Sequence, residues 1–167
     1  MKIRTLLVAA SFVVLSLSAR PQFPAAEKSA QSSARGAESV RFLFPEQVAI
    51  PAKKASVVEL HFRVAEGMHI NSHAPHTKLL IPTNFIVPEK SGIDVSAVDF
   101  PIGADYSFSF SPQEKLSVYA GEFVLKVHVT AQPGQHLLEA ALRYQACDSN
   151  SCYPPKMIPV ALNIVAK

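Results

Sequence analysis

The chain has 167 residues, 49% of them hydrophobic and 17% charged, with 13 prolines, two cysteines and no tryptophan. Its formal net charge of +3 includes Lys2 and Arg4, whose removal leaves +1. No basic run then remains to follow a phosphate backbone or an anionic bilayer, so nucleic-acid and membrane-surface binding have no electrostatic basis.

The N-terminus, "MKIRTLLVAASFVVLSLSA", sets a basic start before an apolar run from Leu6 to Leu17 and small residues behind it. This is the pattern of a secretory signal peptide over residues 1–19, with cleavage after Ser18 or Ala19. The run falls short of the roughly 20 residues that span a bilayer. The mature chain is expected to be exported, soluble and not inserted in the membrane, in a periplasmic or otherwise extracytoplasmic compartment that permits disulfides. Residues 20–37, rich in Ala, Ser, Pro and Gln, offer little to bury and read as a flexible leader. Residues 38–167 are the right size for one domain.

Period-two patterning dominates that domain. "VRFLF" (40–44) is a weak strand. "SVVELHFRV" (56–64) puts Val58, Leu60, Phe62 and Val64 on one face and Glu59, His61 and Arg63 on the other. "IDVSAVDF" (93–100) is again weak, whereas "FVLKVHVT" (123–130), "HLLEAALRYQAC" (136–147) and "MIPVALNIV" (157–165) alternate clearly. Turns are predicted at Glu66-Gly67, Ser91-Gly92, Ala120-Gly121 and Pro133-Gly134. No stretch makes a long amphipathic helix. The predicted fold is an all-β sandwich of two packed antiparallel sheets, with Leu60, Phe62, Leu125, Val127, Leu142 and Val160 buried.

The two cysteines close "QACDSNSCYPP" (145–155). Continued alternation would put Cys147 on the solvated face with Arg143 and Gln145. Asp148, Ser149, Asn150 and Ser151 are turn formers, so the pair sits at the mouth of a hairpin-like connection within disulfide reach. Pro154 and Pro155 stiffen the exit. Closing so short a loop is worth only about 2 kcal/mol, little for a domain with a core of its own. The residues alone leave three readings open: a structural staple, a redox dithiol or a soft-metal clamp. "GMHINSHAPH" (67–76) adds Met68, His69, His73 and His76 to the metal reading. Their spacing matches no ligand motif, and histidines that hydrogen-bond within a polar loop are the expectation, with no metal. No nucleophile elbow, glycine-rich phosphate loop or Cys-x-x-Cys motif occurs, and no cofactor is implied.

"LRYQACDSNSCYPPKMIPV" resembles the signature of the N-terminal domain of the thiol:disulfide interchange protein DsbD. Tyr144, Gln145, Cys147, Cys152, Tyr153, Pro154 and Pro155 match in order. "GMHINSH" and "FPIGADYSFSF" followed by "LSVYAGEFVL" are similar to its early loop and middle section, and the likeness covers most of residues 38–166. The resemblance implies an immunoglobulin-like sandwich in which Cys147 and Cys152 alternate between dithiol and disulfide. It implies electron flow between a membrane-embedded thiol reductase and periplasmic thioredoxin-like or disulfide-isomerase partners. It further implies an aromatic cap over the cysteines from Gly103–Pro112, with Tyr106, Phe108 and Phe110 as candidates and Tyr144 and Tyr153 as pocket candidates. Cys152 is the expected first attacker. The spacing between the cysteines is one residue shorter than the best-known family pattern. The sequence ends at Lys167 without the family's transmembrane and C-terminal thioredoxin-like sections, so separate proteins are expected to supply the electrons. A monomer is expected. The alternative is a non-catalytic exported sandwich that binds another protein, its disulfide pinning a turn.

Overall fold

Two long antiparallel ladders carry the fold, and the computed structural model describes residues 39–43, 47–88 and 93–167. The strands are, in order, β1 (Val40–Leu43), β2 (Val48–Ile50), β3 (Ser56–Val64), β4 (His69–Asn71), β5 (Asn84–Ile86) and β6 (Asp94–Asp99). They continue with β7 (Ala104–Tyr106), β8 (Leu116–Tyr119), β9 (Glu122–Thr130), β10 (Gly134–Tyr144), β11 (Ala146–Cys147) and β12 (Lys156–Ala166). There is no helix among the described residues. The predicted signal peptide, the leader, Phe44 and the Ser91-Gly92 turn lie outside them.

One sheet has the order β1-β3-β9-β6 and a second the order β2-β12-β10-β5. In the first, Leu60 faces Leu125 and Phe62 faces Phe123 across the ladder. In the second, Leu138 faces Leu162 and Leu142 faces Ile158. The inward rows of both sheets form one apolar core. The six residues predicted for it are each 0 or 1% exposed. Such cross-strand pairs are where period-two alternation becomes burial energy.

Two features depart from the sequence reading, and a third explains a weak pattern. A third sheet, of order β11-β4-β8-β7, is built from strands of two to four residues, too short to show a period. The sandwich is not wholly antiparallel, because β2 runs parallel to β12, with Val48 beside Ile164. Parallel neighbours need a long connection, and here nearly the whole domain lies between them. The weak alternation of 93–100 also has a cause: the β6–β9 register shifts between Val95 and Ala97. An irregularity on an edge strand hinders pairing with other chains.

An aromatic row ties the first sheet to the third. Phe62 lies 5.3 Å from both Phe42 and Phe123, and Phe123 stacks on Tyr119 of β8 at 4.9 Å. The Tyr119 hydroxyl donates to the Pro101 carbonyl (2.9 Å) and accepts from the His73 N–H (3.1 Å). The third sheet is thereby held to the sandwich at the end that carries the cysteines.

Candidate functional site: a disulfide between β11 and the β12 approach

The site begins where β10 ends. At Gln145 the chain leaves the second sheet and enters the third as β11, which pairs with β4. Gln145 holds the crossing with both ends of its side chain: Oε1 accepts from Asn71 Nδ2 (3.1 Å) and Nε2 donates to the Tyr153 carbonyl (3.2 Å). Its own carbonyl accepts the Asn71 N–H (3.2 Å). The alternation runs on through buried Tyr144 and Ala146, but β11 has no solvated face. Cys147, expected on the solvated face, is 0% exposed.

Cys147 and Cys152 are disulfide-bonded, with Cα atoms 3.9 Å apart, and form an isolated antiparallel bridge. Cys152 is exposed, so the two ends of the bond differ sharply in access. Asp148 organises the loop between them. Its Oδ1 accepts the N–H groups of Asn150 and Ser151, each at 2.8 Å, and its Oδ2 accepts the Tyr153 hydroxyl at 2.5 Å. These bonds, the Tyr153 hydroxyl foremost, hold the Asp148 carboxyl below its ordinary pKa. A depressed carboxylate stabilises the fold above its unfolded pKa, and that contribution is lost as pH falls through the folded value. The Asn150 and Ser151 amide resonances should therefore titrate together below about pH 4, and the titration should vanish in Asp148→Asn. Flat shifts in the native protein from pH 6 to 2.5 would contradict this role.

The three histidines divide between a strand and the predicted polar loop. His69 belongs to β4, is 3% exposed and pairs with Cys147 across the ladder. Burial lowers its pKa, opposed by the Asp148 charge. His73 stacks on Phe100 at 3.9 Å, and its Nδ1 lies 2.9 Å from the Thr83 carbonyl oxygen. His76 Nδ1 lies 3.1 Å from the Lys115 carbonyl oxygen. Hydrogen bonding within a loop thus describes His73 and His76 but not His69.

The aromatic candidates separate. Tyr106 of β7 packs its ring 4.0 Å from that of His69, and Phe108 lies 5.8 Å from the same ring. Phe110 stacks on Phe108 at 4.9 Å and is 68% exposed. Tyr106 and Phe108 therefore share a neighbour, His69, with Cys147, while Cys152 stays exposed. Tyr153 is part of the cysteine loop. Tyr144 is 1% exposed and belongs to the core, its hydroxyl facing Ser39 and Val40.

Residues that the sequence reading did not single out support the site. Asn71 and Thr83 are fully buried, and Thr83 Oγ1 donates to the Asn71 carbonyl (2.6 Å). Ser72 Oγ donates to Ser117 Oγ (2.9 Å), joining the β4 end to β8. Gly103, which leads into β7, lies against that pair: an added Cβ would fall 2.2 Å from Ser117 Oγ and 2.8 Å from Ser72 Cβ. Gly103→Ala should cost about 1–3 kcal/mol, as overpacking does, and should raise hydrogen exchange in β7 and β8 more than in β10 and β12. An unchanged denaturation midpoint would refute the clash. A groove of about 720 Å³, lined in part by Phe100, Ile102, Tyr119 and Phe123, contains neither cysteine. Among the described residues no group of three or more His, Cys, Asp or Glu side chains could hold a metal ion, and no helix is long and apolar enough to cross a membrane.

Fold and site define an immunoglobulin-like β-sandwich with a disulfide-forming cysteine pair in a short loop at one end. The family profile described as "Thiol:disulfide interchange protein DsbD, N-terminal" matches residues 39–162, and the chain belongs to this family. As a member it is a thiol–disulfide exchange module. Among solved structures, the N-terminal periplasmic domain of ScsB from Proteus mirabilis is similar at 13% identity and a TM-score of 0.50. That likeness covers 74% of this chain and 44% of that one, and shows a shared fold. The reduced DsbD N-terminal domain of Neisseria meningitidis is 18% identical over 66% of this chain and 79% of that one, with a TM-score of 0.44. No curated protein sequence matches the chain.

Proposed function

We propose that Cys147 and Cys152 cycle between disulfide and dithiol outside the cytoplasm, after removal of residues 1–19. They would take two electrons from a membrane-embedded thiol reductase and pass them to periplasmic thioredoxin-like or disulfide-isomerase partners. The observation that carries this reading is the asymmetry of the pair: Cys152 exposed, Cys147 at 0%. Exchange requires a thiolate to approach one sulfur while the other departs. A donor thiolate attacks the Cys152 sulfur, a mixed disulfide forms, and Cys147 leaves as a thiolate. The donor's second thiolate then attacks its own first sulfur and releases Cys152, so the donor is oxidised and the pair reduced. In the onward step Cys152 attacks a partner disulfide and Cys147 resolves the intermediate.

The loop between the cysteines contains no Lys, Arg or His, and Asp148 is already engaged by Tyr153, Asn150 and Ser151. Nothing in the loop strongly activates the Cys152 thiol, so rate depends on docking that aligns the sulfurs. The test is the reduction potential of the pair. A value between about −120 and −270 mV supports exchange, and a value below about −300 mV makes the disulfide a structural pin and overturns the proposal.

A further inference from the structure

Resting on the exchange reaction proposed above, we infer that His69 is the base that takes the proton from Cys147 when Cys147 resolves a mixed disulfide on Cys152. Three observations carry it. His69 and Cys147 are directly opposed in the β4–β11 ladder, which puts their side chains on one face with Cβ atoms about 4.5–5.5 Å apart. Both residues are buried, at 3% and 0% exposure, so bulk water is a poor proton acceptor for either. The His69 Nε2 is buried with no hydrogen-bond partner among the described residues, an atom whose desolvation nothing repays in the oxidised form.

Resolution explains the arrangement. The Cys147 thiol must become a thiolate to attack, yet burial in apolar surroundings raises a thiol pKa. With the imidazole proton on Nδ1, Nε2 is a free base. It takes the Cys147 proton; the Cys147 sulfur attacks the Cys152 sulfur; the intramolecular S–S bond forms and the Cys152–partner bond breaks. The partner leaves as a thiolate carrying two electrons, and the imidazolium returns its proton to that thiolate or to solvent. The groups around the ring suit this task. Tyr106 of β7 packs against it at a tilt, with Phe108 also near the ring, and the Asp148 carboxylate, which follows β11, is the charge that steadies the transient imidazolium. Burial keeps the resting ring neutral, and hence basic, at neutral pH.

The two steps can be read apart. The reduced protein is mixed with one equivalent of 5,5′-dithiobis(2-nitrobenzoate). Attack by Cys152 releases the first thionitrobenzoate, and resolution by Cys147 releases the second; Cys147→Ser gives the first only. In His69→Gln the first release should be unchanged, and the second should slow about 100-fold at pH 7, the lower end of general-base effects. That gap should narrow as pH rises past the ordinary thiol value of about 8.5 towards that of the buried thiol. In the native protein the second release should fall away only below the ordinary histidine range. Added imidazole should restore the second release in His69→Ala. Equal slowing of both releases, a second release unchanged in His69→Gln from pH 5 to 9, or failure of imidazole to rescue overturns the inference and leaves the exchange function standing. A native protein that never gives the first release overturns the exchange function, and this inference with it.

Discussion

Cys147→Ser should accumulate a stable mixed disulfide with an oxidised thioredoxin-like partner, whereas Cys152→Ser should give no more than background. Both variants should lose turnover entirely, because exchange needs one sulfur to attack and a second to resolve. The difference between them follows from position. In Cys147→Ser the remaining thiol sits on the exposed Cys152, in a loop whose shape Asp148 maintains without the disulfide. In Cys152→Ser the remaining thiol is Cys147, 0% exposed beside His69, where a partner sulfur cannot align with it unless β11 opens. Losing the bond itself costs the domain only about 2 kcal/mol on the loop-entropy estimate, so both variants should fold. The readout is a non-reducing gel after incubation with the partner. Equal capture by the two variants would show that burial of Cys147 does not govern access.

Phe62→Ala should destabilise the domain by about 3–5 kcal/mol, the cost of removing a large aromatic from a packed core. Phe62 is 0% exposed and packs against Phe42 on one side and Phe123 on the other. A domain of this size is stable by only about 5–15 kcal/mol, so the loss is a large part of the whole. The aromatic row continues through Phe123 to Tyr119, whose hydroxyl holds Pro101 and the His73 amide. The same substitution should therefore loosen the third sheet and expose Cys147 to a small alkylating reagent in the reduced protein. Denaturant unfolding of the oxidised form checks the first claim through a lowered midpoint at unchanged slope. A loss under about 1.5 kcal/mol would mean that the cavity collapses at little cost.

What the sequence by itself determined is what local chemistry encodes. In "SVVELHFRV" each residue's face follows from its neighbours, so Leu60 and Phe62 could be assigned to the core before any partner strand was known, and both are buried. The same holds for Leu125, Val127, Leu142 and Val160, and hence for a sandwich of two main sheets. The Cys-Tyr-Pro-Pro signature was equally local, and it pointed to the family whose profile matches residues 39–162. Only the tertiary structure decided which cysteine faces solvent. Alternation through "RYQAC" put Cys147 on the wet side, but the strand changes sheets at Gln145 because Asn71, 74 residues away in sequence, and Tyr153 hold its side chain there. Periodicity assumes one solvated face; the count continues through buried Tyr144 and Ala146, but in β11 the alternate position, Cys147, is buried as well. His69 was misread for a related reason. Strand β4 has three residues, too few for a period, and its burial comes from β11, β8 and the Tyr106 ring, all distant in sequence. The parallel pairing of β2 with β12 likewise joins the start of the domain to its end, a contact that no local pattern could announce.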